Sequence, residues 1–154
     1  MKSKNKFRKG VFVVVYSKGK NDGKNKKIEY LLLKRKLHWK GWEFVKGGVK
    51  KGELLLKAVK REAFEETCLK VFNVKKYSYS GKYRYDKVFD ERKGFVGQSF
   101  VLYSAETKRG RVRLDGKEHS NHKWMNFKGA YKKLRWPNQK RALKMVDKFL
   151  NGRK

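Results

Sequence analysis

The chain has 154 residues and a formal net charge of +30, with 44 lysines and arginines against 14 acidic residues. A hydrophobic fraction of 38% with 14% aromatics argues for one packed domain and against global disorder. No apolar run approaches the roughly 20 residues that span a bilayer, and a single cysteine excludes an internal disulfide. A cytoplasmic protein without membrane contact is therefore expected, with a monomer as the default state. The charge favours polyanions as partners, whether nucleotides, polyphosphates or RNA. Lysines spread along nearly the whole chain fit a generic basic surface equally well.

In chain order, residues 1–8 read as a flexible end. Lys9 to Tyr16 is β-branched and aromatic and predicts a buried strand. Residues 17–27 are rich in Gly, Asn, Lys and Asp and predict a turn, and Ile28 to Leu33 predicts a second strand in a hairpin with the first. An aromatic loop over 37–42 and a short strand over 43–45 lead to the Gly47-Gly48 turn. The stretch 52–69 predicts a loop and a helix. Further strands are expected over 71–85, with a break at Gly81, then over 98–105 and 122–127, with a charged loop at 86–97. A helical turn over 128–134 precedes an amphipathic helix from Pro137 to about Leu150, where proline suits the first turn. Residues 152–154 read as the other flexible end of a single domain. Strands on both sides of a central helix suggest an α/β/α sandwich around a mixed sheet.

The segment 47–69 carries the chemistry. It runs Gly47, five residues, Glu53, seven residues, then Arg61-Glu62-Ala63-Phe64-Glu65-Glu66-Thr67-Cys68-Leu69. On a helix, Glu62, Glu65 and Glu66 are related by i, i+3 and i+4 and share a face. At about 100° per residue that face also holds Leu55, Ala58 and Val59. Carboxylates turned toward a core repel one another and lose hydration unless cations compensate them. A divalent metal site of oxygen ligands, Mg²⁺ or Mn²⁺ in kind, accounts for the pattern. The carbonyl near Lys46-Gly47 is a plausible further ligand, because glycine lets an ion approach closely. Arg61 and Glu53 read as a brace for the glutamates.

This spacing resembles the signature of the Nudix hydrolases at every defining position but one, where Cys68 replaces a glycine that normally ends the helix in a left-handed conformation. The resemblance implies the Nudix α/β/α sandwich, a divalent cofactor and hydrolysis of a phosphoanhydride. Trp42 to Glu53, and the later pair Glu118-His119 with Trp124, resemble the asymmetrical diadenosine tetraphosphate hydrolases. That narrower resemblance implies cleavage of diadenosine tetraphosphate to ATP and AMP. It also gives Glu118 a place at the metal or as the base, and Lys46 a phosphate. Two alternatives stay open: removal of pyrophosphate from the 5′ end of RNA, and a nucleic-acid-binding module with little catalysis. Tyr83 and Tyr85 would share a strand face and could stack on adenine. His119 is a candidate phosphate or outer-sphere contact. His119 and His122 could suggest a metal pair, but no thiolate or third nitrogen ligand accompanies them.

Overall fold

The computed structural model describes residues 6–22, 25–85 and 94–152. Its elements are β1 (Phe7–Arg8), β2 (Gly10–Asp22), β3 (Asn25–Arg35), β4 (Gly41–Glu43), β5 (Val45–Gly48), α1 (Leu55–Thr67), β6 (Phe72–Arg84), β7 (Gly97–Glu106), β8 (His119–Met125), α2 (Phe127–Lys133) and α3 (Pro137–Leu150). The sheet is mixed. Its path runs β1-β7-β2-β3-β4, with β5 also paired to β2, β6 to β7 and β8 to β3. β7 runs parallel to β1 and β2, whereas β2 and β3 are antiparallel.

Alternation along β2 builds the layers. Phe12, Val14 and Tyr16 face a core closed by Ala130 of α2 and by Ala142, Leu143 and Val146 of α3. Val11, Val13 and Val15 face the opposite core, closed by Val59 and Ala63 of α1. Helices therefore cover both faces of the sheet, which is the expected α/β/α sandwich with a central mixed sheet.

Local departures from the sequence reading have physical reasons. The first hairpin is longer than expected, because the ladder continues through Asn21↔Lys26 and Asp22↔Asn25 across the region read as a turn. Phe7 and Arg8, assigned to a flexible end, pair in parallel with Gly97 and Gln98. That strand depends on a partner some ninety positions away, which local pattern does not show. Gly81 does not break β6. It sits opposite Phe100 in the ladder, where an added Cβ would lie 2.9 Å from the ring. The irregularities fall instead between Phe72 and Lys75 and between Lys76 and Ser80. The stretch read as one strand over 43–45 is two, β4 and β5, parted at Phe44. β8 starts at His119, three residues earlier than expected. Residues 1–5, 86–93 and 153–154, which include most of the expected charged loop, lie outside the described residues. No helix among those described is long and apolar enough to cross a membrane.

Cys68 ends α1 at φ +61°, with its N–H donating to the Phe64 carbonyl. The helix thus keeps a left-handed exit without the glycine that normally makes it easy. Thr67 secures that exit: its hydroxyl donates to the Ala63 carbonyl at 2.6 Å and accepts from the Leu69 N–H at 3.1 Å. Because Cys68 is exposed, Cys68→Gly relieves the backbone strain without opening a cavity. It should raise stability by about 1 kcal/mol, or about 2–4 °C in Tm. A lower melting temperature for the glycine variant would contradict the assignment of strain.

Candidate metal and phosphate site

The signature loop and α1 are clasped together by one side chain. Arg61 donates through Nε and Nη2 to the two oxygens of Glu53, both at 2.8 Å. Its Nη2 also reaches the Gly48 carbonyl at 2.8 Å, and Nη1 reaches Glu62 at 2.8 Å and Glu65 at 3.0 Å. Glu53 in turn accepts the Lys50 N–H. Hydrogen bonds from Arg61, then the one from Lys50, hold the Glu53 carboxyl down at about 2. Arg61 and Glu53 thus have the geometry of a brace, fixing the loop before α1 and the rotamers of two glutamates along it.

The three glutamates of α1 are not equivalent. Glu66 is 3% exposed and lies on the stripe of Val59 and Ala63. Glu62 is half-buried beside Gly47, where the carboxylate occupies the space a Cβ would need. Glu65 departs from the expected inward face: its side chain is 52% exposed and pairs with Arg61. At about 100° per residue Glu65 and Glu66 fall on opposite flanks of Glu62, and only the Glu66 flank meets the sheet. Burial, and then repulsion from Glu62, push the Glu66 carboxyl well above the usual carboxylate range. Burial likewise raises Glu62.

Behind these carboxylates lies a buried ionic network. Glu43, wholly buried, meets Arg35 Nη1 at 3.1 Å, Lys46 Nζ at 3.3 Å and His119 Nε2 at 2.8 Å. Burial opposes its charge, but Lys46, His119 and Arg35 together hold its carboxyl at about 2. Burial likewise works against the Lys46 ammonium, yet Glu43 and Tyr83 together outweigh it and keep Lys46 above its ordinary value. Glu118 is fixed through its main chain: its N–H donates to Asp115 and its carbonyl accepts from Lys36 and Leu37. Its carboxylate is partly exposed and 3.9 Å from Arg35.

A pocket opens beside this cluster, lined by Arg8, Arg35, Lys46, Gly47, Gly48, Glu62, Tyr83, Gln98 and Glu118. Several expected residues therefore meet in one place: Lys46, Gly47, Glu62, Tyr83 and Glu118, with Glu66 and His119 just behind. Tyr83 receives the Lys46 ammonium on its hydroxyl at 3.4 Å. Tyr83 and Tyr85 stand edge to face, with centroids 6.3 Å apart and planes at 75°, so they leave no parallel slot between them for a base. Tyr85 turns to Gln98 instead. His122 does not share the His119 face of β8, because three positions along a strand reverse the side-chain direction. Sequence reading missed Glu43, Arg35 and Arg8. The first two looked like strand residues. Arg8 reaches the pocket only because β1 pairs with β7, where its guanidinium occupies the space above Gly48.

The donor set fits a divalent cation. Both carboxylate oxygens of Glu66 and Nδ1 of His119 are buried without a hydrogen-bond partner. Glu66, Glu118 and His119 can each bring one ligand atom within 4.8 Å of the others. Buried acceptors left without donors are costly, and a hard cation satisfies them.

A family model described as the NUDIX domain matches residues 6–149. The C. elegans Ap4A hydrolase, solved as a binary complex, superposes with a TM-score of 0.72 at 27% identity, covering 94% of this chain and 98% of that one. The NUDIX domain of Shewanella oneidensis NrtR with ADP ribose gives 0.72 at 15% identity, covering 95% and 90%. The E. coli dihydroneopterin triphosphate pyrophosphohydrolase gives 0.68 at 18%, covering 90% and 95%. The last two show the shared fold alone. No curated protein matches the sequence.

Proposed function

The chain belongs to the Nudix family, and from that premise we propose that it hydrolyses diadenosine tetraphosphate to ATP and AMP. At the coarser level it is a Nudix pyrophosphohydrolase acting on nucleoside diphosphate derivatives. The observation that carries the narrower reading is the pocket itself. Arg8, Arg35 and Lys46 line it together with Glu62 and Glu118, and three cations in one pocket suit a substrate with several consecutive phosphates better than a single phosphate ester. The end-to-end similarity to the C. elegans Ap4A hydrolase supports the same choice.

Water attacks an end phosphorus of the tetraphosphate, the bridge to the remaining three phosphates breaks, and AMP and ATP leave. A bound Mg²⁺ or Mn²⁺ would neutralise phosphate oxygens and favour hydroxide over water. Glu62, Glu66 and Glu118, with the Gly47 carbonyl, are the groups that would hold it, and Glu65 would need to release Arg61 to join them. Glu118, the most exposed of the inner set, would take the proton from the attacking water. Arg8 and Lys46 hold phosphate oxygens, and the guanidinium of Arg8 does so with two parallel donors. Tyr83, through its hydroxyl and Lys46, walls the phosphate end, and Tyr85 is left to carry a base.

Arg8→Ala should raise KM about tenfold or more with a smaller change in kcat, because Arg8 touches the pocket but no carboxylate of the cluster. An unchanged KM would remove Arg8 from the substrate site. The reading as a whole is tested by ranking kcat/KM, with Mg²⁺ present, for diadenosine tetraphosphate, ADP-ribose, nucleoside triphosphates and triphosphorylated RNA. Diadenosine tetraphosphate should rank first. A first place for triphosphorylated RNA would make the chain an RNA 5′-end pyrophosphohydrolase.

A further inference from the structure

His119 occupies a position that substrate binding does not explain. It is fully buried, so no phosphate reaches it. Its Nε2 lies 2.8 Å from Glu43 Oε2. Glu43 sits between Arg35 and Lys46 and is a carboxylate, which only accepts, so Nε2 must be the donor. In the neutral ring Nδ1 then carries a bare lone pair. That atom is buried without a hydrogen-bond partner. It faces Glu66 Oε1 at 3.9 Å, too far for a hydrogen bond, and Glu66 itself lacks a partner on either oxygen.

Two donors about 2.1 Å from one ion are separated by at most about 4.2 Å, and the Nδ1–Oε1 distance of 3.9 Å falls inside that limit. The full set of Glu66, Glu118 and His119 lies within 4.8 Å, and the partly exposed Glu118 carboxylate can close the remainder. An acceptor fixed by a buried carboxylate on the other ring nitrogen is the arrangement of a metal-binding histidine with its orienting acid.

We propose that His119 supplies a nitrogen ligand through Nδ1 to a cation shared with Glu66 and Glu118, so that this position favours a transition ion of the Zn²⁺ or Fe²⁺ class over Mg²⁺. The inference rests on the reading that the α1 carboxylates hold a cation. Imidazole suits zinc and iron, whereas Mg²⁺ is served by oxygen donors and water. Glu43, with Arg35 and Lys46 behind it, is then the positioning residue that sets the tautomer.

The chain has three histidines, so long-range ¹H–¹⁵N correlation spectra of the imidazoles can be assigned residue by residue. On titration of the metal-free protein with Zn²⁺, the His119 Nδ1 resonance should shift with saturation at one equivalent while Nε2 stays protonated. Mg²⁺ should leave it in place. An Nδ1 resonance unmoved by saturating Zn²⁺ would overturn the proposal, whatever His38 and His122 do. Calorimetry adds a second readout. His119→Gln keeps an amide donor for Glu43 but has no acceptor at the Nδ1 position, and it should weaken Zn²⁺ about tenfold or more while changing Mg²⁺ less than about twofold. Equal losses for both ions, or none, would reject a nitrogen ligand. Glu66→Gln separates the two levels of the argument. If it abolishes Mg²⁺ binding while His119 of the wild-type protein stays silent toward Zn²⁺, the hydrolase reading stands and this inference fails. If it leaves all metal binding intact, the cation site itself is wrong.

Discussion

Glu66→Gln is expected to lower kcat by about three orders of magnitude and yet leave the metal-free protein no less stable at pH 8. The loss follows from replacing an inner carboxylate by a neutral amide, a far poorer ligand for a hard cation. The stability half follows from burial. Glu66 is 3% exposed, lacks a hydrogen-bond partner, and has its carboxyl pushed up by burial and by Glu62. A carboxyl raised in the folded state favours the protonated form there. Its penalty is absent below the unfolded value of about 4.5 and grows as pH rises through the folded value. The glutamine variant escapes that penalty. The metal-free wild type should therefore lose stability as pH rises from 5 to 8, and the variant should lose less. Added Mg²⁺ should restore the wild type, because a ligand of the folded state alone stabilises it by mass action, and should do little for the variant. Near-normal turnover by Glu66→Gln would show that the carboxylates of α1 are not the metal ligands.

Glu43→Ala is expected to be the most destabilising single change in the chain, at about 3–5 kcal/mol, because it strands buried cationic groups. Arg35 and Lys46 would lose their shared carboxylate, and His119 Nε2 its acceptor. That figure corresponds to a fall of about 10 °C in Tm. The pH dependence has the opposite sign to that of Glu66. Glu43 is held at about 2 against an ordinary 4.5, so its contribution is present above pH 4.5 and is lost as pH falls toward 2. The gap between wild type and variant should therefore be full at pH 7 and shrink below pH 4. Urea denaturation at the two pH values measures it. A gap independent of pH would mean that lost packing, and not lost charge, accounts for the effect.

These residues show where sequence reading reaches its limit. The spacing of Glu53, Arg61, Glu62 and Glu66 was legible because a helix converts spacing into direction, and the brace, the buried glutamate and the left-handed cap at Cys68 all lie within 16 residues. The sandwich was legible because strand patterns lie on both sides of the α1 segment and α3 carries a continuous apolar stripe. Glu65 was misplaced because one helix face is wider than the groove it meets, and the sheet touches only one flank of it. Glu43 was passed over because nothing local distinguishes an acid in a short strand. Its burial exists only once β3, β4 and β8 bring Arg35 and His119 to it. Arg8 was lost for the same reason, through a two-residue strand whose partner is distant in sequence.

The central claim is that a cation held by the α1 carboxylates drives asymmetric cleavage of a dinucleoside tetraphosphate. The most direct test is hydrolysis of diadenosine tetraphosphate in ¹⁸O-labelled water by the protein stripped with chelator and then reconstituted with Mg²⁺. The account predicts no turnover without the ion, and equal amounts of ATP and AMP with it, the label confined to one of them. Turnover that persists after chelation, or two equivalents of ADP as product, would contradict it.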